Sequence, residues 1–158
     1  MDLHQFGDWL SATAPSQAIQ SSTWLIPAIQ SVHILALALT FTTGLVLSLR
    51  FAGLGLTAEP LAQFAARSAR RIWLLLLVLA ATGALLITAE PGRTITNPAF
   101  YLKMILLAVV IVLTLWLAAS AKRSESASFL QIVVAVLAVL LWAGIIFAGR
   151  FIAYIESY

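Results

Sequence analysis

Long apolar runs separated by short polar stretches dominate the hydrophobic pattern of this chain. The runs are Trp24–Leu49, Ile72–Ala89, Phe100–Ala121 and Phe129–Ile155. A helix rises about 1.5 Å per residue and the hydrocarbon core of a bilayer is about 30 Å thick, so about 20 apolar residues cross it. Each run is expected to be helical because lipid offers the backbone no other hydrogen-bond partner. The pattern predicts an all-α fold, a polytopic four-helix membrane bundle over residues 24–158.

The first 23 residues have a different pattern. Leu3, Phe6 and Leu10 recur at helical spacing, with polar side chains off that face. Asp2 and Gln5 have the spacing of a capping box, in which each side chain bonds the backbone N–H of the other residue. Residues 1–23 are therefore predicted to form an interfacial amphipathic segment in the plane of the headgroups.

Composition agrees with a membrane location. Hydrophobic residues make up 62% of the 158 residues and charged residues 9%, and the mean hydropathy is +1.02. A soluble domain is nearer about 45–50% apolar. The chain has no cysteine, which excludes disulfides and thiolate metal sites. The basic pI of about 9.8 comes from a few loop charges, so the expected partner is the lipid bilayer and not nucleic acid.

The loop charges predict an orientation. Basic residues follow the first run and lie between the third and fourth runs: Arg50, Arg67, Arg70, Arg71, Lys122 and Arg123. An excess of Lys and Arg marks the cytoplasmic side. The expected location is the inner membrane of a bacterium, with both termini periplasmic.

Polar residues interrupt the first run on one helical face. At 100° per residue, a narrow stripe contains Gln30, His33, Thr40, Gly44 and Ser48. Polar side chains in lipid need a protein partner, and a small residue permits close helix packing. The stripe is predicted to face the bundle interior, with Gly44 at a close helix crossing.

Several side chains that could bind a ligand are expected to lie in the same leaflet. Their depth is judged from their distance along the chain to Pro27, Pro98 and the chain end. These residues are His33, Lys103, Met104, Arg150 and Tyr154. Glu90 is the one carboxylate expected within reach, so a buried cation there favours an anionic ligand. The sequence predicts one polar pocket, open to the outside, lined by His33, Lys103 and Arg150, with Gln30, Tyr154 and Met104 as further candidates.

Simpler explanations exist for each of these residues. Lys103 and Arg150 are long enough to extend to the interface, as basic side chains near helix ends usually do. Tyr154 is typical of an interfacial aromatic belt. His33 fits a neutral imidazole bonded to a neighbouring helix.

The chain resembles the bacterial family catalogued as domain of unknown function 6644 over nearly its whole length. The resemblance rests on Trp24, Pro27 and His33; Arg50 with Gly53; Thr82-Gly83; Asn97-Pro-Ala-Phe-Tyr-Leu-Lys103; and Gly149-Arg-Phe-Ile-Ala-Tyr154. One departure is Arg50-Phe-Ala-Gly in place of Arg-Leu-Leu-Gly. The resemblance implies a four-helix inner-membrane protein without an established activity. A looser likeness, in the first-helix histidine and the third-helix lysine, connects it to haem-handling and copper-resistance membrane proteins.

Three hypotheses of function follow. In the first, His33 ligates the iron of a b-type haem, Met104 or His33 of a second copy supplies the other ligand, and Lys103 and Arg150 bind the propionates. In the second, the pocket binds a quinone or another carbonyl or anionic ligand. In the third, the protein is a structural accessory subunit whose polar stripe only holds helices together.

Other functions have less support from the sequence. Copper would need more ligands than His33, Met104 and His4. Transport of a small molecule or metal is an alternative, although no predicted helix is broken at mid-membrane. An enzyme is not favoured, because no activated nucleophile or acid/base pair is apparent. The chain is expected to act as a homo-oligomer or as a subunit of a larger membrane complex.

Overall fold

The computed structural model of the chain describes residues 2–54, 59–121 and 127–151. These residues contain helices and no strand, which confirms the predicted all-α fold. The helices are α1 (Leu3–Ser11), α2 (Ala14–Gln20), α3 (Leu25–Phe51), α4 (Leu61–Ala89), α5 (Pro91–Ile95), α6 (Pro98–Ser120) and α7 (Phe129–Phe151).

Helices α3, α4, α6 and α7 are long and apolar enough to cross a membrane. They match the four predicted runs, and the protein is therefore a multi-pass membrane protein. Helix α6 begins at Pro98, where the Asn97 side chain accepts a hydrogen bond of 2.9 Å from the N–H of Ala99 and the proline occupies the first turn. The predicted fourth run extends to Ile155, and its last four residues lie outside the described part of the chain.

The four membrane helices pack as a ring. Helix α3 lies between α4 and α7, and α6 lies between α7 and α4. The α3–α4 and α6–α7 contacts are extensive, whereas the α4–α6 contact is small. The bundle therefore consists of two helical hairpins, joined mainly where α3 meets α7.

One end of the bundle, here called the arginine end, carries Arg50, Arg67, Arg70 and Arg71. Helix α4 begins there at Leu61, well before the apolar run predicted from Ile72. Leu61 and Ala65 are buried against Phe51 of α3 and Leu117 of α6, and this packing explains the longer helix. The Arg50 Nη2 donates to the Glu59 carbonyl oxygen at 2.6 Å, and Arg67 forms an ion pair with the Glu59 carboxylate.

The opposite end, here called the capped end, is covered by α1, α2 and α5. The predicted capping box of Asp2 and Gln5 is confirmed. Gly7 of α1 is buried against Gly92 of α5, and a Cβ atom on Gly7 would lie 3.3 Å from the Gly92 Cα. The first helix is thus docked on the protein by one face.

Helix α2 is also fixed to the bundle. The Ser16 hydroxyl donates to the Thr88 carbonyl oxygen of α4 at 2.7 Å, and Ile19 packs with Ile29 and Ala89. The N-terminal segment therefore consists of two short helices attached to the capped end. Its exposed apolar side chains are Leu3, Phe6 and Trp9, which fits the predicted contact with the interface.

Candidate functional site

His33 lies on α3 about two turns from the capped end and contacts α4. Its Nδ1 is 2.7 Å from the Thr82 Oγ1. The same Thr82 hydroxyl donates its hydrogen to the Val78 carbonyl oxygen at 2.7 Å. Because a hydroxyl has one hydrogen, Thr82 acts as the acceptor toward His33, and this pattern assigns the imidazole proton to Nδ1. The Nε2 atom of the neutral ring then keeps its lone pair.

Gly83 of α4 lies directly against the imidazole. A Cβ atom at this position would be 3.7 Å from the His33 Cε1, which is an ordinary van der Waals distance. The ring thus packs on the backbone of α4 beside the threonine that orients it. A small residue next to Thr82 allows this approach of the two helices.

Lys103 of α6 extends along α7. A Cβ atom on Gly149 would lie 3.7 Å from the Lys103 Nζ and 3.9 Å from its Cδ and Cε. The ammonium group is also close enough to His33 to interact with it electrostatically. Among the described residues, no carboxylate pairs with Lys103. We call His33, Thr82, Lys103 and Gly149 the His33–Lys103 cluster, to which each of the four membrane helices contributes one residue.

Two further predicted site residues are exposed. Met104 is 46% exposed on the outer surface of α6. Gln30 is exposed as well, so the prediction that it faces the bundle interior is wrong. Gln30 is five residues from the start of α3, or about 7.5 Å along the axis, so its amide can reach the polar headgroup region.

The remaining candidates lie at the capped end. Arg150 follows Gly149 in the last turn of α7, and its side chain is exposed. Glu90, at the end of α4, lines an open groove of about 290 Å³ together with Gln20 and Pro91. Tyr154 lies outside the described residues.

The rest of the polar stripe faces the interior as predicted. Thr40, Gly44 and Ser48 are all buried. The Ser48 hydroxyl donates to the Ala135 carbonyl oxygen of α7 at 2.8 Å. A Cβ atom on Gly44 would lie 3.3 Å from two atoms of the Trp142 indole, which confirms the close crossing at this glycine.

Sequence reasoning missed the partners of the two central residues. Thr82 and Gly149 appeared only in the family resemblance and had no assigned role. The signal available was a Thr-Gly pair and a late glycine within otherwise apolar runs. It could not show which neighbour each residue contacts, because that depends on how the helices are rotated in the bundle.

The cluster contains a hydrogen-bond acceptor, His33 Nε2, and a cationic donor, Lys103 Nζ, whose charge acts on the imidazole. Such a pair can bind a ligand that carries both a hydroxyl and a carbonyl or carboxylate oxygen. Within the described ranges, no group of three or more His, Cys, Asp or Glu side chains comes together.

Comparisons with known proteins leave the family open. Neither the protein-family models, nor the curated proteins, nor the solved structures contain a match to this chain. The resemblance to domain of unknown function 6644 thus stays a prediction, and the residues of the site carry the functional argument.

Proposed function

We propose that the protein is a membrane-embedded binding subunit that holds a small lipid-soluble ligand of the quinone type at the His33–Lys103 cluster. The observation that carries the proposal is the hydrogen bond from His33 to Thr82. It fixes the ring by Nδ1 and leaves Nε2 as an acceptor, and the charge of Lys103 acts on the same imidazole.

This donor and acceptor suit both forms of such a ligand. A quinone carbonyl accepts a hydrogen bond from the Lys103 ammonium. A quinol hydroxyl donates to His33 Nε2. The apolar body of the ligand is compatible with the surrounding helices, since binding sites for small molecules are mostly apolar with a few placed polar groups.

The charge of Lys103 supports a bound partner. A cation inside a membrane bundle is costly unless something pairs with it, and no described carboxylate does so. A ligand oxygen with partial or full negative charge would offset that cost. This distinguishes the proposal from a purely structural accessory role, in which an apolar residue at position 103 would serve better.

A b-type haem is the second candidate, and the same histidine favours it. A metal-binding histidine usually donates its other ring N–H to a protein acceptor, which orients the ring; Thr82 is such an acceptor. Nε2 would ligate the iron and Lys103 would pair with a propionate. Because Met104 is exposed, the second ligand would come from His33 of a second copy.

One purification tests these possibilities. The wild-type protein in mild detergent is examined by optical spectroscopy and by mass spectrometry of an organic extract. A Soret band identifies haem, and a quinone in the extract identifies the first candidate. His33→Ala should abolish retention, and Lys103→Ala should weaken it about tenfold or more, since each charge-assisted contact is worth about 1.5–3 kcal/mol.

His4→Ala is the matched control, because His4 is exposed on α1. This variant should retain the ligand fully. If wild type and all variants fold alike and none retains a ligand, the binding proposal fails. A structural accessory subunit, or a transporter for a small molecule or metal, would then be the better explanation.

We also propose an orientation. The arginine end would face the cytoplasm and the capped end the periplasm of a bacterial inner membrane, following the excess of basic residues at the arginine end. The ligand site would then lie in the outer leaflet. The test fuses to each chain end a reporter that is active only in the cytoplasm. Reporter activity at either end would contradict this arrangement.

A further inference from the structure

Helix α4 carries a basic face just beyond its apolar part. Arg67, Arg70 and Arg71 are spaced by three and four residues, so they share one side of the helix. All three side chains are exposed. The buried side of the same segment is formed by Leu61, Ala65 and Ser68.

The basic face continues directly into the lipid-facing side of α4. Leu74, Leu77 and Val78 follow Arg70 and Arg71 at helical spacing, and their side chains are exposed apolar groups. Ile72, on the other side, is buried. Arg70 and Arg71 therefore project outward from the bundle, about one helical turn before Leu74, which is the headgroup level expected if the apolar run spans the acyl chains.

The arginines of this face differ in their partners. Arg67 forms an ion pair with Glu59, and its guanidinium lies 6.0 Å from the centre of the Phe64 ring. For Arg70 and Arg71, no carboxylate partner is found among the described residues. Trp73, two residues further, is 47% exposed, and an exposed tryptophan at this level is typical of a membrane interface.

We propose that Arg70, Arg71 and Trp73 bind the phosphate headgroup of an anionic phospholipid. A guanidinium matches phosphate oxygens with two parallel hydrogen bonds, and two adjacent arginines complement a net negative headgroup. Trp73 follows Arg70 by three residues and is therefore its neighbour on the helix surface, so the indole can report a lipid bound at that arginine. This site is on the outer surface of α4 at the arginine end and is independent of the His33–Lys103 cluster.

Quenching of tryptophan fluorescence by brominated lipid tests the proposal. The full chain in detergent micelles is titrated with brominated phosphatidylglycerol and, separately, with brominated phosphatidylcholine. The signal of Trp73 is the part of the quenching that Trp73→Phe removes. It should respond to phosphatidylglycerol at lower lipid content than to phosphatidylcholine.

Variants assign the effect to the two arginines. Arg70→Gln and Arg71→Gln should each weaken the apparent phosphatidylglycerol affinity about fivefold, and the double variant more strongly. Arg67→Gln is the matched control and should change it little, because that arginine is already paired.

Three outcomes would overturn the proposal. Equal quenching by the two lipids would mean that Trp73 senses only the interface. An unchanged preference in the double variant would mean that other groups select the lipid. Displacement of phosphatidylglycerol by millimolar inorganic phosphate would identify a general anion site instead of a lipid site.

Discussion

The half of the membrane bundle next to the arginine end, here called the arginine half, uses polar residues differently from the half next to the capped end, here called the capped half. In the arginine half, the Ser48 hydroxyl donates to the backbone carbonyl oxygen of Ala135. In the capped half, His33 bonds Thr82 through one ring nitrogen, while its Nε2 keeps a lone pair and Lys103 has no carboxylate partner among the described residues. A polar residue that the chain itself satisfies is a structural link. One that the chain satisfies only in part is a candidate site.

The largest effect is expected from the packing of the arginine half. Phe51 is 1% exposed within the cluster of Leu47, Leu61 and Leu117. Phe51→Ala should lower the free energy of unfolding by about 3–5 kcal/mol, because it leaves a cavity among four helices. Denaturation in detergent, followed by circular dichroism, measures the loss. Ligand retention by the protein that remains folded should not change; a parallel loss would show that the two halves are coupled.

The second prediction concerns the cost of the cation in the capped half. Lys103→Met keeps the length of the side chain and removes its charge. In the absence of ligand it should raise the free energy of unfolding by about 1–3 kcal/mol, since a charge in this environment is costly. Arg150→Met, at an exposed position, is the control and should change little. If Lys103→Met instead lowers the free energy of unfolding, Lys103 stabilises the fold. The two halves would then not differ in how the chain satisfies their polar residues.

The fold was largely predictable, because the features that define it are local. The apolar runs and the Asp2 capping box depend on residues close in sequence, and both are confirmed. The early start of α4 was not predicted, since it depends on contacts of Leu61 with α3 and α6.

The site was predictable only in part, for a geometric reason. Distance from the helix ends placed Lys103 and Met104 at similar depth. Adjacent residues differ by about 100° around a helix, so they face different surroundings, and depth alone could not decide which one faces inward. The partners Thr82 and Gly149 required the helix rotations that only the packed bundle fixes.

The third prediction compares one interhelical hydrogen bond from each half. Ser48→Ala removes the bond to Ala135, and Thr82→Val removes the bond to His33. Each should cost about 0.6 kcal/mol and at most about 1.7 kcal/mol, as such bonds do in membrane proteins. Ser31→Ala is the control, because Ser31 is exposed and its hydroxyl bonds within its own helix.

The readout that separates the two bonds is ligand retention. Thr82→Val frees the His33 ring to turn, so it should weaken ligand binding, whereas Ser48→Ala should leave binding unchanged. Equal effects of both variants on binding would mean that Thr82 acts only as a structural link.

The smallest effect is expected at Met104. Its side chain is 46% exposed, so Met104→Leu, which nearly conserves volume, should change the free energy of unfolding by less than about 0.5 kcal/mol. It should also leave the optical spectrum and the retained ligand unchanged, because a residue on the lipid-facing side of α6 cannot reach Nε2 of His33 in the same copy. A shifted haem spectrum in this variant would show that Met104 supplies an iron ligand. The site would then extend through the surface of α6 to a second copy, and the capped half would contain an interface between copies.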